Sequence, residues 1–159
     1  MTGKILEIDE LAAISDELRR DGKKLVVTNG CFDLLHVGHV RYLQAARVLG
    51  DALAVGLNGD ESVRALKGDS RPLNPERDRA EVLAALSSVD YVAIFTEVRA
   101  THFFERIRPA IYVKGGDYTP ESLNAEEGAV LERIGCEIRI IPFERGYSTT
   151  QLIDRMHSG

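Results

Sequence analysis

The chain has 159 residues, of which 44% are hydrophobic and 28% are charged, and its formal net charge is −5. This size and composition are typical of one globular domain with its own core. An acidic chain argues against non-specific nucleic-acid binding, which uses a basic surface. We expect no signal peptide and no membrane span, because no apolar run is long enough. Cys31 and Cys136 lie far apart in the sequence without metal-type spacing, which indicates a reduced, cytoplasmic setting.

Short apolar runs alternate with amphipathic segments along the chain, beginning with an amphipathic helix. The predicted strands cover residues 24–29, 52–58, 91–95, 110–113 and 137–141. The predicted helices cover residues 9–20, 37–49, 61–66, 75–86, 100–107, 126–134 and 148–156. This alternation predicts a doubly wound, Rossmann-like α/β domain with a five-stranded parallel sheet in the order 3-2-1-4-5. Ligands bind such sheets at the carboxyl ends of the strands, so we expect the site in the loops after strands one, two, four and five.

The segment 30–39, Gly-Cys-Phe-Asp-Leu-Leu-His-Val-Gly-His, joins the first strand to the second helix. Unpaired N–H groups and the dipole at a helix start favour phosphate binding. His36 and His39 share one face of the first turn, and Gly38 between them leaves room for a bulky anion. The two imidazoles can donate hydrogen bonds to phosphate oxygens. Zinc is an alternative, but the sequence offers no clear third ligand.

This segment resembles the Gly-x-Phe-Asp-x-x-His-x-Gly-His signature of the cytidylyltransferase-like superfamily of nucleotidyltransferases. The resemblance implies that a phosphate oxygen of an acceptor attacks the α-phosphorus of a nucleoside triphosphate, and that pyrophosphate leaves. His36 and His39 would stabilise the transition state, and Asp33 would orient the loop. The implied cofactor is Mg²⁺ on the triphosphate, with no side-chain ligand assigned. The expected nucleotide contacts of this part of the chain are Gly30, Cys31, Phe32, Asp33, Gly38 and Asn58.

A basic loop, residues 67–79, follows the third predicted helix. Lys67 and Arg71 are expected to be mobile cations that close over phosphates, and Arg79 to reach the same site from the next helix. The loop is similar to the Lys-Gly-x-x-Arg-Pro-x-Asn element of sugar-phosphate nucleotidyltransferases. That similarity implies that Lys67 is catalytic, drawing charge off the departing pyrophosphate, and that all three cations bind the acceptor phosphate. The alternative is a solvated polar loop, to which Arg77 is assigned.

Two further segments follow the fourth and fifth strands. Residues 114–118, Lys-Gly-Gly-Asp-Tyr, resemble the heptose 1-phosphate nucleotidyltransferase branch, and Asp117 suits sugar hydroxyls or a metal. Ser148 is a predicted helix N-cap. Phe143 stands where the glycerol-phosphate branch carries an arginine. The nucleotide contacts implied in these segments are Lys114, Gly115, Gly116, Asp117, Ser148, Thr149 and Thr150.

Together these motifs predict one nucleotidyltransferase domain over 1–159, with the helix in 1–22 outside the superfamily core. The resemblance implies transfer of AMP from ATP to D-glycero-D-manno-heptose 1-phosphate, with the pathway kinase on a separate chain. A homodimer is compatible with the sequence. Glycerol-3-phosphate cytidylyltransferase, FAD synthetase and a catalytically silent nucleotide-binding module remain alternatives, and so do CTP and GTP as the nucleotide. No Gly-x-Gly-x-x-Gly follows the first strand, which argues against a dinucleotide-dependent oxidoreductase.

Overall fold

The computed structural model describes residues 3–116, 123–142 and 148–158. A parallel sheet of five strands runs through it in the order β3-β2-β1-β4-β5, which confirms the predicted topology. The strands are β1 (Leu25–Gly30), β2 (Ala52–Asn58), β3 (Tyr91–Phe95), β4 (Ile111–Gly115) and β5 (Glu137–Ile141). The helices of the described residues are α1 (Ile8–Arg20), α2 (Val37–Arg47), α3 (Asp60–Lys67), α4 (Glu76–Ala84), α5 (Thr101–Ile107), α6 (Ala125–Arg133) and α7 (Thr149–Ser158).

Most element boundaries lie within two residues of the predicted ones, and the differences have local causes. Strand β4 continues through Lys114 and Gly115, which pair with Ile140 and Ile141 of β5, so these two residues are not part of the following loop as predicted. Pro75 is the N-cap of α4 rather than a residue of its first turn, because its ψ of 154° is extended. The hydrophobic pattern does not fix the end of a strand or the start of a helix to the residue, and here sheet pairing and cap geometry determine these boundaries.

Helices cover both faces of the sheet. One apolar cluster joins the sheet to α1, α5 and α6, and the other joins it to α2 and α4. Every residue of β2 is buried, as expected for a central parallel strand covered on both sides. The N-terminal segment adds an isolated parallel bridge between Ile5 and Val92 at the β3 edge, and Leu11 of α1 is fully buried.

The sheet opens between β1 and β4. Strand β1 pairs with β2 along all six of its residues, but with β4 only at Val26 and Val27. Beyond that point Tyr42 of α2 spans the gap: its hydroxyl donates to the Val113 carbonyl at 3.1 Å and lies 2.7 Å from the Thr28 hydroxyl. Burial raises the pKa of Tyr42 to about 12, so the phenol stays protonated. The chain reverses its winding direction here, and a cleft therefore forms at this switch point.

We predict that Tyr42→Phe lowers the free energy of unfolding by about 1–3 kcal/mol, because the buried Val113 carbonyl loses its donor. Urea denaturation followed by circular dichroism measures the change. The matched control is Tyr91→Phe on a partly exposed side chain of β3, with an expected change within ~0.5 kcal/mol. Equal stability of the two variants would contradict the bridging role of Tyr42.

Candidate functional site

A cleft of about 430 Å³ lies at the carboxyl ends of the central strands. The predicted site residues that line it are Gly30, Cys31, Phe32, Asp33, His39, Asn58, Lys67, Arg71, Lys114 and Gly115. These residues come from four separate stretches of the chain, and the parallel sheet gathers them because all follow or end its strands. The fold thus brings these residues, which the motifs single out, together at one cleft.

The two histidines stand together at the start of α2, with ring centroids 4.0 Å apart. His36 is the N-cap of the helix, and His39 lines the cleft. The His36 N–H donates to Nδ1 of His39 at 3.3 Å, and the Gly38 N–H donates to Nδ1 of His36 at 3.1 Å. Because Nδ1 is the acceptor in each neutral ring, the proton of each ring resides on Nε2. His39 can therefore present an N–H donor to a ligand in the cleft.

Burial keeps these imidazoles uncharged. Desolvation lowers the pKa of His36, and desolvation together with the charge of His36 lowers the pKa of His39 to about 4. Both rings are therefore neutral near pH 7, and they act as hydrogen-bond donors rather than as cations.

The start of α2 differs from the prediction that its backbone N–H groups are unpaired. The Gly38 N–H donates to His36 Nδ1, and the N–H groups of His39 and Val40 donate to the His36 carbonyl at 3.0 and 3.3 Å. The helix thus satisfies these donors internally through its histidine N-cap. Gly38 therefore serves as a cap donor at this helix end.

Phe32 supports the histidine that faces the cleft. Its ring centroid lies 5.4 Å from that of His39, and its backbone has a φ of +46°, in the left-handed region. A Cβ at Gly30 would stand 2.9 Å from the Phe32 ring, so glycine leaves room for this tight crossing. Gly30 and Phe32 therefore contribute to the packing that positions the His39 ring.

Asp33 holds the basic loop in place. Its buried carboxylate accepts hydrogen bonds from Nε of Arg71 at 2.8 Å and from the backbone N–H groups of Leu73 and Asn74 at 2.8–3.0 Å. Burial alone would raise the pKa of Asp33, but these hydrogen bonds outweigh it and lower the pKa below its usual range. The implied loop-orienting role of Asp33 agrees with these contacts. Arg71 lines the cleft, but it is tethered at Nε rather than mobile as predicted.

Arg79 differs most from its predicted role. Its side chain is fully buried and does not line the cleft that His39 lines. The guanidinium donates to the carbonyls of Cys31, Asn58 and Asn74 at 2.8–2.9 Å, and to the carboxylate of Asp60 at 2.7 Å. A guanidinium that donates to four protein acceptors connects the segments that carry them. This structural role corrects the expectation that Arg79 binds phosphate.

Asn58 lies at the end of β2, where it is 3% exposed and lines the cleft. Its side-chain amide donates to the Ser62 hydroxyl at 3.2 Å, while its carbonyl accepts from Arg79. Cys31 also lines the cleft, and burial raises the pKa of its thiol despite nearby lysine and arginine charges. Both residues are thus part of the cleft wall.

Two lysines stand at the cleft. Lys67 ends α3 and is exposed, whereas Lys114 is the penultimate residue of β4 and is partly buried. Burial lowers the pKa of Lys114, the Glu127 carboxylate opposes this effect, and the charge of Arg99 adds to it. Because β2 and β4 flank β1, these lysines approach the cleft from opposite sides of the strand that leads to the histidines.

The late segments are described in part. Gly116 has a φ of +97°, which favours glycine, and its N–H donates to Ile141 of β5. The Ser148 hydroxyl accepts from the Gln151 N–H at 3.0 Å, which confirms the predicted N-cap. Thr150 is an exposed residue of the first turn of α7. Asp117, Tyr118 and Phe143 lie outside the described residues. Thr149 is the first residue of α7, and its side chain lies outside the described part.

The cleft also contains residues that the motifs did not indicate, namely Asn29, Tyr42, Leu66, Val98, Arg99 and Glu127. Val98 and Arg99 belong to the loop after β3, the one strand whose loop the prediction left out. Applying the rule on carboxyl ends to every strand would have found them. Glu127 has no comparable signal, because its place depends on how α6 packs.

Among the described residues, no three His, Cys, Asp or Glu side chains are grouped to hold a metal ion. The carboxylates among the described lining residues are Asp33 and Glu127, and both accept hydrogen bonds from protein groups.

Within residues 3–116, 123–142 and 148–158, no helix is both long enough and apolar enough to cross a membrane.

We predict that Arg79→Ala lowers the free energy of unfolding by about 3 kcal/mol or more, because it leaves three carbonyls and Asp60 without their donor. The measurement is urea unfolding, compared with Arg77→Ala at an exposed position of the same helix, for which we expect a change within ~0.5 kcal/mol. A stable Arg79→Ala protein with weakened phosphate binding would instead restore the original assignment.

We predict that stability falls as the pH is lowered from about 6.5 towards 4. In this window the unfolded chain protonates His39, whose usual pKa is 6.5, while the folded protein does not protonate it until about pH 4. His39→Asn should flatten this dependence, as measured by melting temperature between pH 7.5 and 4.5. His157→Asn, at an exposed position of α7, should keep the wild-type slope. Equal slopes for wild type and His39→Asn would argue against a buried neutral imidazole.

Known proteins were compared with the chain at the levels of family, sequence and fold. The family model described as Cytidylyltransferase-like matches residues 27–155. The chain is 52% identical over 156 residues to the Bifunctional protein HldE of Geotalea uraniireducens (strain Rf4), which covers 98% of this chain and 31% of that protein. It is 53% identical to the HldE protein of Bradyrhizobium sp. (strain ORS 278), with the same coverage. The chain thus spans less than a third of the length of these relatives.

A solved structure shares the fold. The crystal structure of the lipopolysaccharide core biosynthesis protein from Thermoplasma volcanium GSS1 matches with a TM-score of 0.64 and 25% identity, covering 80% of this chain and 100% of that one. The sheet order, the paired histidines and the family match agree with one another. The chain belongs to the cytidylyltransferase-like family, and this confirms the nucleotidyltransferase class indicated by residues 30–39.

Proposed function

We propose that this domain transfers AMP from ATP to a heptose 1-phosphate, giving a nucleotide-activated heptose and pyrophosphate. One observation carries the proposal: the neutral His36–His39 pair stands at a cleft with cationic side chains on both sides. Family membership supports the class of reaction, and identities of about 50% to HldE proteins over nearly the whole chain support the branch.

The chemical step needs positioning more than proton transfer. A phosphate oxygen of the sugar phosphate attacks the α-phosphorus and forms the new P–O bond. The bond from the α-phosphorus to the bridging oxygen breaks, and pyrophosphate carries that electron pair away. Because the attacking oxygen is already anionic, no general base is required, and catalysis depends on alignment and on stabilising the added charge.

We assign that stabilisation to the described residues of the cleft. The Nε2–H of His39 would donate to an α-phosphate oxygen, and His36 would fix the orientation of the ring. Lys67 and Arg71 would bind the acceptor phosphate on the β2 side, and Lys67 would also draw charge from the departing pyrophosphate. Lys114 would meet the nucleotide on the β4 side.

The remaining assignments rest on the resemblance. Asp117 and the hydroxyls of residues 148–150 would contact the nucleotide. Mg²⁺ bound to the triphosphate would neutralise part of its charge. We place the reaction in the cytoplasm, and a sugar kinase must supply the acceptor.

The proposal is tested by measuring pyrophosphate release with ATP, CTP and GTP, each combined with heptose 1-phosphate, glycerol 3-phosphate and FMN. We expect the highest kcat/KM with ATP and heptose 1-phosphate. His39→Ala should lower kcat by about 10²–10³ with that pair, because a preorganised donor to the transition state is lost. A melting curve of each variant separates this loss from unfolding.

Other outcomes have definite meanings. Preference for glycerol 3-phosphate or FMN would reassign the substrate within the family. A near-normal rate of His39→Ala would refute the mechanism. No release with any pair would favour a catalytically silent nucleotide-binding module.

A further inference from the structure

Arg99 is a cation of the cleft to which the proposed mechanism gives no role. It lies in the loop between β3 and α5, its side chain is exposed, and it lines the cleft. Its charge contributes to lowering the pKa of Lys114, which lines the same cleft. Ordering the exposed Arg99 side chain costs conformational entropy. Hydrogen bonds from its guanidinium to acceptors of a bound ligand would compensate for this cost.

The backbone that carries Arg99 is held firmly. The next residue, Ala100, is fully buried, and its N–H donates to the carboxylate of Glu127 at 2.8 Å. Glu127 is only 8% exposed and lies in the first turn of α6, where its own N–H donates to Asn124 at 3.1 Å. This contact joins the loop after β3 to α6, the helix between β4 and β5 in the chain. Arg99 is therefore presented from a fixed backbone, which is what a recognition residue requires.

Two apolar side chains accompany Arg99 in the cleft. Leu66 of α3 is 44% exposed and Val98 is 41% exposed, and both line the cleft. They follow β2 and β3, which are neighbours in the sheet, so they belong to the same side of the cleft. Exposed aliphatic groups next to a guanidinium suit a sugar, whose C–H faces pack on apolar groups while its hydroxyls accept hydrogen bonds.

The proposed phosphate contacts assign that side to the acceptor. Lys114 and Ser148, the proposed nucleotide contacts, belong to or follow β4 and β5, on one side of β1. Lys67 and Arg71, the proposed contacts of the acceptor phosphate, follow β2 on the other side of β1. The segments after β2 and β3 form the wall there, so we expect the sugar of the acceptor to lie against them.

We propose that Arg99 is a specificity-determining residue that donates hydrogen bonds to the hydroxyls of the acceptor sugar. The inference rests on the proposed function, since it presumes a sugar phosphate acceptor. Leu66 and Val98 contact the apolar face of the sugar ring, while Lys67 and Arg71 bind its phosphate. Glu127 is a positioning residue that holds the Arg99 loop through Ala100.

The test is steady-state kinetics of Arg99→Ala with ATP and heptose 1-phosphate. We expect the KM for the sugar phosphate to rise about tenfold or more, the KM for ATP to stay within about twofold, and kcat to fall by less than about fivefold. Arg99→Lys keeps the charge but not the planar fork, and should fall between wild type and Arg99→Ala. Arg20→Ala, an exposed arginine of α1, is the matched control and should leave both KM values unchanged.

The outcomes separate this inference from the proposed function. If wild type is active with the sugar phosphate and Arg99→Ala keeps its acceptor KM, only the role of Arg99 is overturned. An equal rise in the KM for ATP also overturns it, because Arg99 would then serve the nucleotide. If wild type fails to release pyrophosphate with every sugar phosphate offered as the acceptor, the proposed function fails, and the inference about Arg99 fails with it.

Discussion

The buried guanidinium of Arg79 is the interaction on which the shape of the cleft depends. It binds Cys31 after β1, Asn58 at the end of β2, Asn74 in the basic loop and Asp60 of α3. A charge removed from water is tolerated only when its donors are satisfied, so these four segments must keep their relative positions for Arg79 to remain buried. The walls of the cleft are thus set by a residue that does not itself line it.

Asp33 acts in the same way with the opposite charge. Its carboxylate binds Arg71 and the backbone of the basic loop, so this loop is anchored at both ends of the segment 71–79. The charges at the site therefore form two groups. Arg79 and Asp33 are buried and paired and hold the loops, whereas Lys67 and Arg99 are exposed at the cleft. Arg71 combines both features, because its Nε is paired with Asp33 while the residue lines the cleft.

The histidine pair depends on the same rigid surroundings. Burial keeps His36 and His39 uncharged, and the cap contacts leave Nε2 as the protonated nitrogen. A neutral donor held against Phe32 suits a reaction whose nucleophile is already anionic, since it needs charge stabilisation without a base. The tight turn at Gly30 and the hydrogen bond from the buried Tyr42 to Val113 help to keep the histidine pair at the point where β1 and β4 separate.

The sequence alone determined the α/β class, the strand order and the segment that carries the histidines, because apolar periodicity and motif spacing are local properties of the chain. It also placed Ser148 at a helix start. Only the tertiary structure decided which arginines bind other parts of the protein, since Arg79 and Arg71 donate to acceptors tens of residues away in sequence. The position of Arg99 likewise follows from a contact between α6 and the loop after β3. Such long-range packing has no local signal, and for that reason the sequence indicated many of the residues that line the cleft but neither Arg99 nor the protein partners of Arg71 and Arg79.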